Sequence, residues 1–202
     1  MKVNDSSYVY PAQAVYLPPD SELFRQLSKD IRYVAEPKKN GWRCMVRVKP
    51  SGVIELWTRR NTIIADPLPN LRAQLVSLKL KPDSILDGEL MEHRGQIKEQ
   101  LVLWGMIKWG SKWLSALPYR DVNDMVRGVV SESANIKMAI QTIKDKEGFY
   151  AKVMLGEYGP GNEGIVIKSM DAPVPFGWKG EATHRLWFKV KPVVLADGVY
   201  QK

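Results

Sequence analysis

Glu36-Pro37-Lys38-Lys39-Asn40-Gly41-Trp42-Arg43 is the stretch on which the reading of this chain turns. The run that leads into it, IRYVAEP (31–37), has the composition of a strand. Pro37 has no N–H to give a ladder and is expected to end that strand. Lys-Lys-Asn-Gly then reads as a tight turn, with Gly41 allowing close approach of the backbone to a ligand. A lysine amine is a good nucleophile once deprotonated, and neighbouring cations with partial burial favour that state. Lys39 and Arg43 are the cations at hand. Taken alone, however, the stretch is an ordinary solvated hairpin turn.

Three further groups change its weight. Asp87-Gly88-Glu89 puts two carboxylates inside an apolar strand, ILDGELM (85–91), where they are costly unless they bind something. Glu163-Gly164-Ile165-Val166-Ile167-Lys168 sets a carboxylate at the start of a strand and an amine at its end. Lys189-Val190-Lys191 has the period of a strand, so both amines share a face. Each has a dull explanation as a turn, a charged strand end or a solvated face; their joint occurrence in this order does not.

The remaining sequence supplies a frame. SELFRQLSK (21–29) reads as a short helix capped by Ser21, with Leu23, Phe24 and Leu27 on one face. RCMVRVK (43–49), the turn PSG and VIELWTR form a hairpin signal. LRAQLVSLK (71–79) is a helix, and ILDGELM and QLVLWGMI (100–107) are strands around the turn HRGQ (93–96). YRDVNDMVRGVVSE (119–132) is helical, as is IKDKEGFYAKVMLGEYG (143–159), the latter weakened by Gly148. GIVIKSM and RLWFKVK are strands, and residues 194–202 look like one more. Hairpins mix with helices, so the expected class is α+β with largely antiparallel sheets.

Composition narrows the setting. The 202 residues are 45% hydrophobic and 9% aromatic, enough for one domain with a sizeable core. No segment approaches the roughly 18 apolar residues of a membrane span, and the N-terminus has no signal-peptide core. A protein of the bacterial cytoplasm or of a virus-infected cell is expected, with the nucleus the other compartment open to it. Cys44 stands alone and sits in an alternating apolar run, which makes it a core residue. The net charge of +8 favours a polyanionic partner. No His/Cys/Asp group has zinc-ligand spacing. His93 and His184 read as surface or loop residues. Trp42, Trp57, Trp109, Trp113, Trp178 and Trp187 read as packing residues.

In its ordered motifs the chain resembles the covalent nucleotidyltransferase superfamily of ATP-dependent DNA ligases, RNA ligases and mRNA capping enzymes. The resemblance runs from about Tyr33 to Lys191. It comprises K-x-D-G-x-R as Lys38 to Arg43, a Thr58-Arg59 pair, D-G-E as Asp87 to Glu89, Leu103-Trp104-Gly105, E-G-[hydrophobic]₃-K as Glu163 to Lys168, and K-x-K as Lys189 to Lys191. It implies the ligase adenylation fold over residues 1–192, with ATP and Mg²⁺ or Mn²⁺ as cofactors. Lys38 would form a phosphoramidate with AMP. Glu36 would read the adenine edge, and Trp104 would stack on the ring. Arg43 and Glu89 would hold the ribose. Glu163, with Asp87, would bind the metal. Lys168, Lys189 and Lys191 would neutralise phosphate charge. Arg59 would meet ATP phosphates or, with Arg60, the acceptor strand.

Glu36, the Asp-Gly-Glu run and LPYRD (117–121) look more like DNA ligases than like capping enzymes or RNA ligases. The implied reaction is the sealing of nicks in double-stranded DNA by a monomer, with RNA joining as the alternative. Asn40 stands where the family has Asp, and Gly105 replaces an acid. These departures leave a third reading, a non-catalytic nucleic-acid-binding domain. Residues 193–202 resemble the first strand of the oligonucleotide-binding barrel that ligases of this type carry, and a chain lacking the rest of it would self-adenylate slowly and bind nicks weakly.

Overall fold

The computed structural model describes residues 8–91, 97–177, 180 and 182–192. The expected turn at 93–96, His93, Trp178 and the strand at 194–202 lie outside the described residues.

The first helix follows a short strand. Strand β1 (Gln13–Leu17) leads to α1 (Glu22–Lys29), whose N-cap is Ser21 as expected: its hydroxyl accepts the Phe24 N–H at 3.3 Å. Strands β2 (Tyr33–Lys39), β3 (Trp42–Val48), β4 (Ile54–Thr58) and β5 (Thr62–Ile63) precede α2 (Pro69–Ser77). Then come β6 (Ile85–Leu90), β7 (Leu101–Trp109), β8 (Lys112–Trp113), α3 (Tyr119–Val129) and β9 (Ile136–Met138). Helix α4 (Lys146–Met154) and strands β10 (Asn162–Ser169) and β11 (Thr183–Val190) complete the order.

The strands form two sheets. One runs β1-β11-β10-β2; the other runs β5-β4-β3-β6-β7-β8, with β9 beside β7. All pairings are antiparallel except β1 with β11 and β7 with β9, so the expected α+β class holds. Each sheet buries one face under two helices. Phe24 and Leu27 of α1 and Phe149 and Val153 of α4 pack with Ala35, Ile165 and Ile167 of the smaller sheet. Leu71 and Leu75 of α2 and Val122 and Val126 of α3 pack with Cys44, Val46, Leu86 and Leu103 of the larger. Cys44 is fully buried there, and burial pushes its thiol pKa up, as an inert core residue requires. The opposite face of the larger sheet is partly covered by Tyr8 and Val9, which pack with Met45, Trp57, Ile85 and Ile107, and the remainder lines a cleft shared with the smaller sheet.

Two expectations fail for physical reasons. Pro37 does not end its strand: β2 runs on to Lys39. The strand is the edge of its sheet, where a residue without an N–H is tolerated, and its partner β10 is bulged between Asn162 and Ile165 just there. Gly148 does not merely weaken α4; its N–H donates to the Asp145 carboxylate at 3.0 Å, so the helix begins at this cap and spans only nine residues. Lys146, fully buried, then ties α4 to the end of α1 by donating to the carbonyls of Ser28, Asp30 and Ile143 at 3.3, 3.0 and 2.7 Å.

The bulge in β10 explains a motif glycine. Gly164 has φ +141°, and a Cβ there would run into the Val190 carbonyl and approach the Lys191 Cα to 3.0 Å. At Gly105, by contrast, an added Cβ would meet only the Asp87 Cβ at 3.9 Å. Gly164→Ala is expected to cost more than about 2 kcal/mol of stability, and Gly105→Ala less than about 1 kcal/mol. Urea unfolding of the two variants checks both values.

Candidate active site

The cleft between the sheets has a volume of about 670 Å³ and is lined by segments from both. Strand β2 and the turn after it bring Glu36, Lys38, Lys39 and Gly41; β3 brings Trp42 and Arg43; Thr58 ends β4, and Arg59 and Arg60 follow it. Glu89, Trp104, Lys168 and Lys189 come from β6, β7, β10 and β11. Of the other sequence-predicted residues, Asp87 and Glu163 join this set through ion pairs with Arg43 and Lys38, and Lys191 is not among the lining residues; three groups are placed differently than expected.

Lys38 faces a carboxylate, not a cluster of cations. Its Nζ donates to Glu163 Oε1, and both side chains remain about a quarter to a third exposed, at 24% and 30%. The bulge in β10 sets Glu163 across from Lys38. Lys39 also lines the cleft, and burial lowers its amine pKa. Gly41 closes the turn where a side chain has no room: an added Cβ would collide with the Leu90 carbonyl and come within 2.9 Å of Glu89 Cγ. Its N–H donates to Glu89 Oε1 at 3.0 Å. At Asn40 the backbone N–H donates to the Gly161 carbonyl at 2.8 Å, tying the turn to the start of β10.

Asp87 is the second difference. Arg43 reaches it with two donors, Nε to Oδ1 at 2.6 Å and a terminal nitrogen to Oδ2 at 2.5 Å, in the fork-on geometry that guanidinium and carboxylate favour. The Trp104 indole N–H donates to the same Oδ2 at 3.1 Å. With both oxygens engaged and the side chain 6% exposed, Asp87 is placed as the buried counter-ion of Arg43, not as the open carboxylate a metal needs. The third Arg43 contact, to the Ala12 carbonyl at 3.0 Å, pins the N-terminal segment against the cleft. Trp104 reaches this face because β7 is bulged opposite the Asp87–Gly88 step.

The third difference is Lys168. Its amine is buried, donating to Glu36 Oε2 at 2.5 Å and to the Tyr119 hydroxyl at 3.2 Å. The rings of Tyr119, Trp187 and Trp104 surround it at 4.7, 4.7 and 5.3 Å from their centroids. Burial lowers its pKa against the pull of Glu36. Glu36 in turn accepts from the Tyr119 hydroxyl and from Gln141 Nε2 at 2.7 Å. Lys168 is thus fixed at the cleft floor and is not exposed to receive a phosphate. Lys189 lines the cleft, and Lys191 lies just past the end of β11.

Tyr119, Gln141 and Trp187 also belong to the site, with no catalytic motif of their own in the sequence. LPYRD carried a signal for Tyr119, but neither Gln141 nor Trp187 sits in a pattern that separates it from a packing residue. The packing tryptophans divide between surface and core: Trp42 lines the cleft with 41% of its surface exposed, whereas Trp57 and Trp187 are core residues at 2% and 3%. His184 is buried as well, stacked on Trp187 at 4.8 Å. Among the described residues no three carboxylate, histidine or cysteine side chains gather to hold a metal ion.

Glu89 carries a pH-dependent cost. Burial raises its carboxyl pKa above the ordinary range, against the pull of Lys38 and the Gly41 N–H. The ionised form is therefore held at neutral pH at a cost that disappears once pH falls below the unfolded carboxylate's pKa, about 4.3. Glu89→Gln, which keeps the acceptor for Gly41, is expected to raise the unfolding midpoint at pH 7. That gain should shrink as pH approaches about 4, and thermal melts across this window check it.

No family model matches the chain. It is 27% identical, over an alignment of 201 residues, to a Streptomyces avermitilis protein described as "Probable DNA ligase"; the match covers 81% of this chain and 38% of that protein. The ligase domain of M. tuberculosis LigD superposes with a TM-score of 0.69 at 18% identity, over 91% of this chain and 59% of that one. The ATP-dependent DNA ligase of bacteriophage T7, in complex with ATP, gives 0.58 at 15% identity, over 95% and 79%. Chlorella virus DNA ligase-adenylate gives 0.56 at 19%, over 91% and 69%. The chain thus spans well under two thirds of the curated relative's length, and what these likenesses establish is architecture: it has the nucleotidyltransferase fold of the adenylation domains of ATP-dependent DNA ligases.

Proposed function

We propose that residues 1–192 are the adenylation domain of an ATP-dependent ligase that seals nicks in double-stranded DNA, with Lys38 as the nucleophile. The observation that carries this reading is the position of the Lys38 amine: at the end of an edge strand, on the wall of a cleft of nucleotide size, beside the partly exposed Glu163 carboxylate. The ligase fold and the Streptomyces relative support it.

The chemistry follows from the groups present. The Lys38 amine attacks the α-phosphorus of ATP; a P–N bond forms, the bond to the bridging oxygen breaks, pyrophosphate leaves and the amine gives up a proton. An oxygen of the 5′-phosphate then attacks the same phosphorus; a P–O–P linkage forms, the P–N bond breaks and Lys38 takes up a proton as it leaves as the amine. The 3′-hydroxyl attacks that phosphate, closing a phosphodiester and releasing AMP. Such displacements depend on positioning and on charge stabilisation more than on covalent help from the protein. Glu89 and Arg43 bound the site on the side of the larger sheet, Arg43 held rigid by Asp87. Trp104 offers a ring for the base, and Glu36, fixed by Lys168, Tyr119 and Gln141, offers acceptor capacity at the floor. Lys189, Lys191, Arg59 and Arg60 supply positive charge for phosphates.

The residues fit a hard divalent cation shared with the nucleotide. A single open carboxylate, Glu163, suits Mg²⁺ or Mn²⁺, which keep waters and take phosphate oxygens as further ligands. The bound cation would stabilise charge on the α-phosphate. Asp87, closed off by Arg43, is not part of that set.

Incubation with α-labelled ATP and Mg²⁺ is expected to give an acid-labile protein–AMP adduct that is absent in Lys38→Ala. No adduct across pH and metal conditions would leave a nucleic-acid-binding domain without chemistry. Offering nicked DNA beside nicked RNA, the DNA should be sealed faster; the reverse preference would assign the domain to RNA joining.

A further inference from the structure

His184 has no part in the chemistry above, yet both of its ring nitrogens are committed. The side chain is buried, with Nε2 3.0 Å from the Pro173 carbonyl and Nδ1 3.2 Å from the Leu186 nitrogen. A carbonyl only accepts and a backbone N–H only donates. The two contacts together therefore select one state, a neutral ring with its proton on Nε2. The Leu186 contact falls at an irregularity in β11. Ala14 of β1 pairs with His184 and Val15 with Phe188, so residues 185–187 bulge out of that ladder. The imidazole gives the Leu186 N–H an acceptor inside the bulge. Trp187 belongs to the same bulge, lines the cleft and pairs with Lys168 across β10 and β11. Its indole N–H is buried with no hydrogen-bond partner among the described residues, so no polar contact anchors this ring. Its neighbours do. His184 stacks on it with centroids 4.8 Å apart and planes 8° from parallel, and Tyr119 meets it edge-on at 5.3 Å and 77°. The Lys168 amine lies 4.7 Å from the centre of the ring so held.

We propose that His184 is a positioning residue for the cleft floor: by closing the β11 bulge and stacking on Trp187, it holds the ring against which the Lys168 amine, and through it Glu36, is set. This rests on the ligase reading and adds to it a residue that does not line the cleft but on which nucleotide binding depends. Protonation of His184 undoes the arrangement. The second proton belongs on Nδ1, where it faces the Leu186 N–H, donor against donor. The charged group felt by the ring is the Lys168 ammonium of β10, which opposes another positive charge, and the Glu36 carboxylate of β2 is already engaged by Lys168. Ala14 of β1, Met170 and Val174 beside Pro173, and the Tyr119 phenol of α3 pack around Trp187 without charge. Arg185 is exposed, and Asp171 is paired with Arg120 at the surface. Burial lowers the imidazole pKa against the Pro173 contact, and Lys168 lowers it further, so the ring stays neutral at pH 7 and charges only in acid.

The test uses the full chain and follows formation of the protein–AMP adduct at increasing Mg²⁺–ATP, which separates the ATP level for half-maximal rate from the plateau rate. At neutral pH, His184→Ala should need about tenfold more ATP, equivalent to about 1.4 kcal/mol, with the plateau within about threefold because Lys38 and Glu163 are untouched. His184→Phe keeps a ring to stack on Trp187 and should fall between Ala and the unaltered chain. As pH falls to about 5, the unaltered chain should need progressively more ATP, with a midpoint below the ordinary histidine value of about 6.5, whereas His184→Phe, which has no imidazole to protonate, should not show this rise. Long-range ¹H–¹⁵N NMR of the unaltered chain should place the His184 proton on Nε2 and give the same midpoint. Circular dichroism melts establish that the variants fold; if Ala does not, the Phe variant and the pH series decide. A proton on Nδ1, an unchanged ATP requirement in the Ala variant, or an acid rise that persists in the Phe variant overturns the inference and leaves the ligase reading standing. Absence of any adduct from the unaltered chain overturns the ligase reading and the His184 role together.

Discussion

Glu36 and Lys168 are buried side by side, each with 3% of its side chain exposed, and the shape of the cleft follows from how that pair is satisfied. Two charges removed from water are expensive, and their attraction offsets the expense only where further hydrogen bonds take up the remaining lone pairs and protons. Here the Tyr119 hydroxyl and the Gln141 amide do so. Glu36 stands on β2 and Lys168 on β10, both in the smaller sheet. Tyr119 opens α3, which packs on the larger sheet, and its hydroxyl lies 3.2 Å from the Trp104 carbonyl of β7. The network therefore crosses from one sheet to the other and fixes their separation at the floor of the site.

From that floor outward, the charges become progressively more open. Arg43 and Asp87 form a second closed pair halfway up the wall, held by a two-point contact and by the Trp104 indole. Lys38 and Glu163 form a third, at a quarter to a third exposure, which substrate or solvent reaches. Arg60 lies at the rim. This gradient separates tasks by dielectric: pairs at the bottom set geometry, and the pair in the open can exchange partners. It also separates the three carboxylates of the motifs, Asp87, Glu89 and Glu163, which the sequence presents as equivalent acids.

Much of the architecture was legible because it depends on short-range pattern. Ser21 caps α1 where a hydroxyl before an apolar helical face should; the alternation from Arg43 to Val48 gave the strand and its buried face; the order of Lys38, Asp87-Gly88-Glu89, Glu163 to Lys168 and Lys189-Val190-Lys191 gave a common site. Errors arose where neighbours in space override the local rule. Pro37 breaks central strands, but β2 is an edge. Gly148 weakens a helix interior, but here its N–H serves the cap. Trp42 and Trp187 are the same residue type, yet one stays 41% exposed at the start of β3 while the packing around Lys168 buries the other.

The sequence by itself determined which chemical groups belong together, since its ordered motifs resemble those of the nucleotidyltransferase superfamily and strand period puts residues such as Lys189 and Lys191 on one face. Only the tertiary structure decided what each group does there. Whether a carboxylate is a counter-ion or an open ligand, and whether a lysine is a cleft floor or a nucleophile, depends on desolvation and on which partner reaches it first. Both are set by β-bulges and by residues more than a hundred positions away, such as Gln141 beside Glu36, and not by the residues next to it in the chain.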